Sequence, residues 1–171
     1  HLTQNLNLDW QHEKDQSTHF NQNLSAFLYH QYELQSSIFN FGLRLDHNRI
    51  FNDHLTYKAA TGYKVEQGLL KLSYATGFRS PSINQLFDPD YGNLDLNPET
   101  SQSTELSLEK KWNSNLQSTI SLFYTKIDNR LSYDPKTYIN KNNGQAEIIG
   151  AEQSAQVKWL KELEQSLSLT L

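Results

Sequence analysis

The chain has 171 residues, which is enough for one domain of ordinary size, and carries a formal net charge of −4. This acidic balance does not indicate a nucleic-acid partner, which usually shows as a basic patch. The absence of cysteine excludes a disulfide framework, a thiolate metal site and a cysteine nucleophile. No apolar run approaches the ~18 to 20 residues of a membrane-spanning helix.

Apolar and polar residues alternate with a period of two along almost the whole chain. In residues 38–46, for example, Phe39, Phe41 and Leu43 share one face while Asn40 and Arg44 occupy the other. Such alternation is typical of a strand with one apolar face. The sequence therefore predicts an all-β, antiparallel up-and-down meander without a convincing helix. About nine strands are expected, at 2–10, 21–33, 37–46, 54–65, 69–79, 102–112, 116–133, 146–160 and 165–171.

The connections between these strands differ in length at the two ends of the predicted sheet. Tight turns follow the second, fourth, sixth and eighth strands, whereas the alternate connections are long and polar: 11–20, 46–53, 80–101 and 134–145. Short turns at one end and long loops at the other are typical of an outer-membrane β-barrel. The strand lengths agree, because a tilted membrane strand needs ~9 to 11 residues.

A soluble, lipocalin-like ligand-binding β-barrel is the alternative, because its apolar face would form the core and give the same alternation. Aromatic residues favour the membrane. Five of them lie near strand ends, at positions in register with the apolar face, where a membrane barrel carries its aromatic girdles. They are Trp10, Tyr63, Phe78, Trp112 and Trp159.

Residues 87–100, FDPDYGNLDLNPET, are crowded with oxygen-bearing side chains and invite a calcium interpretation. Counted from Asp88, Asp90 and Glu99 match an EF-hand loop, but Gly92 falls one position early and no helices flank the segment. The run is better explained as a loop shaped by turn-forming residues. No metal site or cofactor is predicted, and the pairs His12/His19 and His47/His54 are expected to be solvated loop residues. No nucleophile elbow, phosphate loop or dinucleotide motif supports an enzyme.

Two stretches closely resemble signatures of TonB-dependent outer-membrane receptors. The first is matched in order by Gly77, Phe78, Arg79, Ser80, Pro81, Leu86, Phe87, Tyr91, Gly92, Asn93, Leu96, Pro98, Glu99, Ser101 and Glu105. The second is matched by Asn142, Gly144, Ala146, Ile148, Gly150 and Glu152. Residues 1–70 resemble the family only in their general pattern, without a specific motif. The short form of the first loop is most similar to the vitamin B12 (cobalamin) receptors, with siderophore or haem receptors as the alternative within the family.

The resemblance implies a 22-stranded transmembrane barrel in the bacterial outer membrane, with a plug in its lumen. Such a receptor binds a scarce nutrient and imports it with energy from TonB. Residues 1–171 would then be an internal piece of the barrel domain, without the plug and the C-terminal strands. Methionine is absent even at position 1, which agrees with this expectation.

The tip of the long loop is the predicted ligand-contact region, at Asn84, Gln85, Phe87, Tyr91 and Asn93. Aromatic and amide side chains suit a large polar ligand. The alternative is that these residues only pack the loop. On its own, the chain is expected to self-associate through unpaired strand edges and the apolar face that lipid would otherwise cover.

Overall fold

The computed structural model describes residues 2–14, 20–160 and 163–170. Nine strands form one antiparallel sheet in chain order, which confirms the predicted meander. A two-stranded sheet, β8–β9, and one short helix, α1, lie in the connections. The nine strands of the main sheet are β1 Leu2–Lys14, β2 Phe20–Leu34, β3 Ser37–Asn48, β4 Asn52–Val65, β5 Gly68–Arg79, β6 Glu99–Lys111, β7 Leu116–Asp128, β10 Gln145–Leu160 and β11 Leu163–Thr170. The other elements are α1 Ile83–Phe87, β8 Leu131–Asp134 and β9 Ile139–Asn142.

Tight turns close one end of the sheet, as the short connections predict. Leu34 pairs with Ser37, and Val65 pairs with Gly68, so two residues connect each of these strand pairs. Gln35 and Gln67 adopt positive φ in these turns, at 50° and 55°. Two-residue hairpin turns need this backbone conformation to match the twist of the strands they join.

The apolar face of the sheet is open, and the polar face is the covered one. Among the described residues, the buried hydrophobic side chains are Ile83, Leu86, Leu96 and Leu131, all outside the nine-stranded sheet. By contrast, Leu8 on the apolar face is 76% exposed, while Ser25 and Asp46 on the polar face are 2% and 6% exposed. This burial pattern indicates that the sheet is concave towards its polar side chains. It is the opposite of a soluble barrel, whose apolar face would form the core.

Two predictions about the long connections are wrong. The first is the absence of helix, because α1 forms within residues 80–98. The second is the extent of the seventh strand, which ends at Asp128 and not at residue 133. Leu131–Asp134 leaves the main sheet and pairs instead with Ile139–Asn142, so that a hairpin fills most of the fourth long connection.

The aromatic residues predicted to lie at the rims divide into two groups. Trp10, Tyr63 and Trp112 are 61%, 56% and 54% exposed on the open face. Phe78 is different: it is half-buried, stacks on His54 with ring centroids 3.7 Å apart, and lines a cleft on the polar side. The paired ladder between β4 and β5 ends at Lys58 and Ala75, and Thr76 then bonds the backbone of Tyr57 through its side chain. The strands are therefore free to diverge before Phe78.

Three residues singled out in the sequence have side chains outside the described part of the structure: His12, His19 and Trp159. Within the described residues, no helix is both long and apolar enough to cross a membrane.

Candidate ligand-binding site

The connection between β5 and β6 folds around a capped turn of helix. Ser82 is the N-cap of α1: its hydroxyl accepts the backbone N–H of Gln85 at 3.2 Å. The Gln85 side-chain oxygen accepts the backbone N–H of Ser82 in return, at 3.0 Å. This reciprocal pair is a capping box, which satisfies two amides that a helix start otherwise leaves without partners. It makes a five-residue helix stable enough to fix the loop.

Acidic and amide residues after α1 shape the turn that follows. The Asp88 carboxylate accepts the backbone N–H groups of Asp90 and Tyr91, at 2.9 and 3.2 Å. Partial desolvation raises the pKa of Asp88, but these bonds and the Tyr91 hydroxyl outweigh it and hold the pKa below its usual value. The bond to Asp88 also raises the pKa of Tyr91. The segment that suggested calcium thus uses its first carboxylate to hold backbone amides.

Metal binding finds no further support in the geometry. Across the described ranges, no three His, Cys, Asp or Glu side chains come close enough to hold an ion together. His47 binds the carboxylate of Asp53 at 2.5 Å, and His54 contacts the carbonyl of Phe51 at 2.9 Å. Both histidines therefore have local partners at the loop end of the sheet.

The β8–β9 hairpin packs against this loop, and asparagine side chains join the two. Asn93 donates to the carbonyl of Asn140 at 2.8 Å, and Asn140 donates through backbone and side chain to the carbonyl of Tyr91. Asn142 accepts the backbone N–H of Asn97 at 2.8 Å and donates to its carbonyl at 2.9 Å. Leu86, Leu96 and Leu131 form a small apolar core between the segments, with Phe51 and Phe87 against it. We call the unit formed by residues 80–98 and 129–144 the cap.

Glu99 fastens the cap to the sheet. Its carboxylate binds the guanidinium of Arg79 at 3.0 Å, across the start of the β5–β6 ladder, and accepts the backbone N–H of Leu131 at 2.9 Å. The Glu99 side chain is 17% exposed, so this ion pair is partly shielded from water. One carboxylate thus connects the main sheet with both segments of the cap.

The five residues predicted to contact a ligand lie close together in the cap, but they are not equally available. The side chains of Gln85 and Asn93 are engaged in the bonds described above, and Phe87 packs against the apolar core. Asn84 is exposed, and Tyr91 is 38% exposed although its hydroxyl bonds the Asp88 carboxylate. Asn84 and Tyr91 are therefore the two members of the set whose side chains face solvent.

The polar face of β2 and β3 carries a charged network that the sequence did not reveal. Arg44 Nε donates to the Asp46 carboxylate at 2.9 Å, and Arg44 Nη2 donates to the Ser25 hydroxyl at 2.7 Å. Ser25 and Asn23 also donate to the Asp46 carboxylate, at 2.7 and 3.1 Å. Alternation places Arg44 and Asp46 on one face, but their partners on β2 become visible only once the strand register is known.

A cleft of about 460 Å³ opens beside this network, at the end of the sheet that carries the long connections. Strands β2 and β3 supply its polar wall, with Asn21, Asn48 and Asp46 among the lining residues. The end of β5 supplies Phe78 and Arg79 on the other side. A cleft with an aromatic wall and several fixed polar groups has the character of a small-molecule site.

Comparison with known proteins identifies the family. Residues 3–171 match the model of the TonB-dependent receptor-like β-barrel. The chain belongs to the TonB-dependent receptor family. Receptors of this family are outer-membrane proteins, and an outward apolar face is what a barrel strand in a membrane requires. Its relatives are receptors and transporters, in agreement with the prediction that it is not an enzyme.

Two curated relatives of this chain are vitamin B12 transporters. The vitamin B12 transporter BtuB of Vibrio cholerae serotype O1 is 32% identical over 136 residues, which are 78% of this receptor chain and 22% of the transporter. The vitamin B12 transporter BtuB of Photobacterium profundum is 30% identical over 141 residues, 78% of this chain and 23% of its own length. The chain therefore spans less than a quarter of these curated relatives.

Solved structures share the fold of this receptor chain. The siderophore receptor PirA from Pseudomonas aeruginosa superposes over 99% of this chain and 36% of its own, with a TM-score of 0.85 at 22% identity. The copper transporter OprC superposes over 87% of this chain and 28% of its own, with a TM-score of 0.72 at 17% identity. At these identities the likeness concerns the fold alone.

Proposed function

We propose that this chain is part of the wall of an outer-membrane receptor that binds cobalamin and imports it with energy supplied through TonB. The observation that carries the proposal is the 32% identity with a vitamin B12 transporter over 78% of the chain. In this proposal residues 1–171 belong to a 22-stranded barrel whose lumen holds a plug domain. The polar, concave face of the sheet then faces the plug, and the cap lies outside the cell.

Within the cap, we propose Asn84 and Tyr91 as ligand contacts. Both side chains are exposed at the tip of the unit, and the Asp88 carboxylate sets the turn that presents Tyr91. Gln85, Phe87 and Asn93 have the supporting role of fixing the loop, because their side chains are bound within the cap.

A siderophore or haem receptor of the same family is the second candidate. The siderophore receptor PirA shares the fold of this chain, with a TM-score of 0.85, and the resemblance of the loop motif extends to siderophore receptors. The two candidates differ in ligand charge, because ferric siderophore complexes are commonly anionic whereas cobalamin presents many neutral amides. The charge of the polar face therefore bears on the choice.

Uptake in a strain that lacks the gene encoding this receptor tests the proposal. We expect loss of high-affinity uptake of labelled cobalamin, restored by the full-length gene, with uptake of ferric siderophores unchanged. Unchanged cobalamin uptake together with lost siderophore uptake would transfer the assignment to the second candidate.

A further inference from the structure

Two buried polar atoms in the cleft have no hydrogen-bond partner. Asn48 is 1% exposed, and its Oδ1 accepts the backbone N–H groups of Ile50 and Phe51, each at 2.9 Å. These two bonds fix the orientation of the amide and leave Nδ2 without a partner. Asn21 is 6% exposed, and its Oδ1 also lacks a partner. Buried polar groups are nearly always paired, so two such atoms in one place call for an explanation.

The two atoms belong to one wall of the cleft. Asn48 pairs with Asn23 in the β2–β3 register, and Asn21 lies two residues further along β2 on the same face. Diagonal neighbours of this kind lie about 7–8 Å apart, so one ligand group can lie between their side chains. The wall therefore carries an unpaired hydrogen-bond donor, Asn48 Nδ2, and an unpaired acceptor, Asn21 Oδ1, on two residues that both line the cavity of about 460 Å³.

The charged residues of the cleft are already neutralised from within the chain. Arg44 is bound to Asp46, with Nε and Oδ2 2.9 Å apart, and Arg79 is bound to Glu99 at 3.0 Å. An anionic ligand would have to displace Asp46 or Glu99 before it could bind the arginine that the carboxylate now holds. A neutral group that both accepts and donates hydrogen bonds can enter without breaking either pair.

We propose that this cleft is a subsite for a neutral carboxamide of the transported ligand. The amide carbonyl accepts a hydrogen bond from Asn48 Nδ2, and the amide N–H donates to Asn21 Oδ1. The ring of Phe78 lines the cleft and is backed by the ring of His54, with centroids 3.7 Å apart, and it provides a flat surface for the adjoining part of a large ligand. The subsite rests on the proposed function, because cobalamin carries amide side chains around its rim, and it favours cobalamin over an anionic siderophore.

Asn48→Asp in the full-length receptor tests the subsite. An aspartate keeps an oxygen for the Ile50 and Phe51 amides but replaces the Nδ2 donor with an acceptor. Asn113→Asp is the matched control, since Asn113 Oδ1 accepts the backbone N–H groups of Asn115 and Leu116 in the same way at the opposite end of the sheet. We expect cobalamin to bind Asn48→Asp at least about tenfold more weakly than the wild type, because a buried donor is lost. The control should bind normally.

Each result separates the subsite from the proposed function. If the wild type binds cobalamin and Asn48→Asp binds it equally well, the two atoms are merely hydrated and the subsite is overturned while the function stands. If the wild type does not bind cobalamin, the function and this subsite both fail. Heat-modifiable migration on denaturing gels verifies folding. If Asn48→Asp does not fold, Asn48→Ser, whose hydroxyl can hold the same turn, replaces it, with the same tenfold loss expected and unchanged binding again overturning the subsite.

Discussion

Asparagine side chains join the two segments of the cap. Asn93 donates to the Asn140 carbonyl at 2.8 Å and accepts the backbone N–H of Asp95 at 2.9 Å. Replacing Asn93 with alanine leaves both backbone groups without these bonds, which costs about 1–3 kcal/mol of local stability. We expect faster hydrogen exchange at the Asn140 amide, which donates to Tyr91. The exposed residue Asn84 provides the control, and an equal effect of Asn84→Ala would contradict this role for Asn93.

Asp134 makes the hairpin of the cap sensitive to acid. The bond from the Lys141 ammonium is the largest influence, and the amide of Lys136 and hydroxyl of Thr137 add to it, lowering the pKa of Asp134 from 3.8 to about 2. Because the pKa of Asp134 is lower in the folded hairpin, its carboxylate stabilises the hairpin fully at a pH above the unfolded-state pKa, near 3.8. This stability is lost as the pH falls through the folded-state pKa, about 2.

Hydrogen exchange of residues 131–142 as a function of pH measures this effect. Protection, corrected for the intrinsic rate, should fall between about pH 4 and pH 2 in the wild type, in line with the lowered pKa of Asp134. In Asp134→Asn the fall should be smaller over this interval, and what remains is expected from Glu99, which accepts the Leu131 amide and also has a lowered pKa. Equal profiles in the wild type and the variant would show that the Asp134 carboxylate does not stabilise the hairpin.

The loop between β5 and β6 depends on a close backbone approach at Gly92. A Cβ on this residue would lie 2.8 Å from the carbonyl oxygen of Leu86 and closer still to backbone atoms of Asp88. Backbone atoms held by α1 cannot yield as a side chain can, so Gly92→Ala should cost about 1–3 kcal/mol and separate the turn from the helix. Proteolysis of the loop in intact cells would report the change.

Gly62→Ala is the control for the close approach. Gly62 lies on β4 of the main sheet, and its Cβ would lie 3.3 Å from the flexible end of Leu69 and in ordinary contact with Ile38 at 3.7 Å. We expect wild-type resistance to protease in this variant. Equal resistance in Gly92→Ala would mean that the loop has room for a side chain and that the close approach is unimportant.

The strands were predictable from sequence, whereas the elements of the cap were not. A period of two sustained over ten or more residues leaves no other structure that places the apolar residues on one face. Helix α1 is too short to show any period, although the Ser82-x-x-Gln85 pair carried a capping-box signal that the sequence analysis missed. The strands β8 and β9 have four residues each and pair with one another, so alternation alone assigned Leu131 to the main sheet.

The candidate site was predictable only in position. The family motif located the loop that carries Asn84 and Tyr91, but which side chains remain available depends on contacts between residues 80–98 and 129–144. The cleft was not visible at all, because its polar wall is formed by Asn21 and Asn48 on separate strands. Alternation did not predict that Phe78 stacks on His54 and lines the cleft, because the end of the β4–β5 ladder at Lys58 and Ala75 has no signature in the sequence.

At the scale of the whole molecule, the 171-residue chain on its own should self-associate. Strands β1 and β11 each pair along one edge only within the described sheet, and leucines such as Leu6 and Leu55 are 70% and 62% exposed. Unpaired edges and a broad apolar face both promote association in water. Sedimentation without detergent should show oligomers, and added detergent should reduce them. A monomer across a wide concentration range would contradict this prediction.

The central claim is that one face of the sheet meets lipid and the other lines the lumen of a nutrient receptor. Spin labels on single introduced cysteines test it directly, since the chain contains no cysteine of its own. In the full-length receptor in lipid bilayers, labels at Leu106, Leu108 and Leu122 should be relaxed by oxygen and not by a water-soluble reagent. Labels at Ser107 and Ser121, one residue out of phase, should not show this lipid signature. Leucine positions that are shielded from both reagents, or that respond like their serine neighbours, would contradict the account.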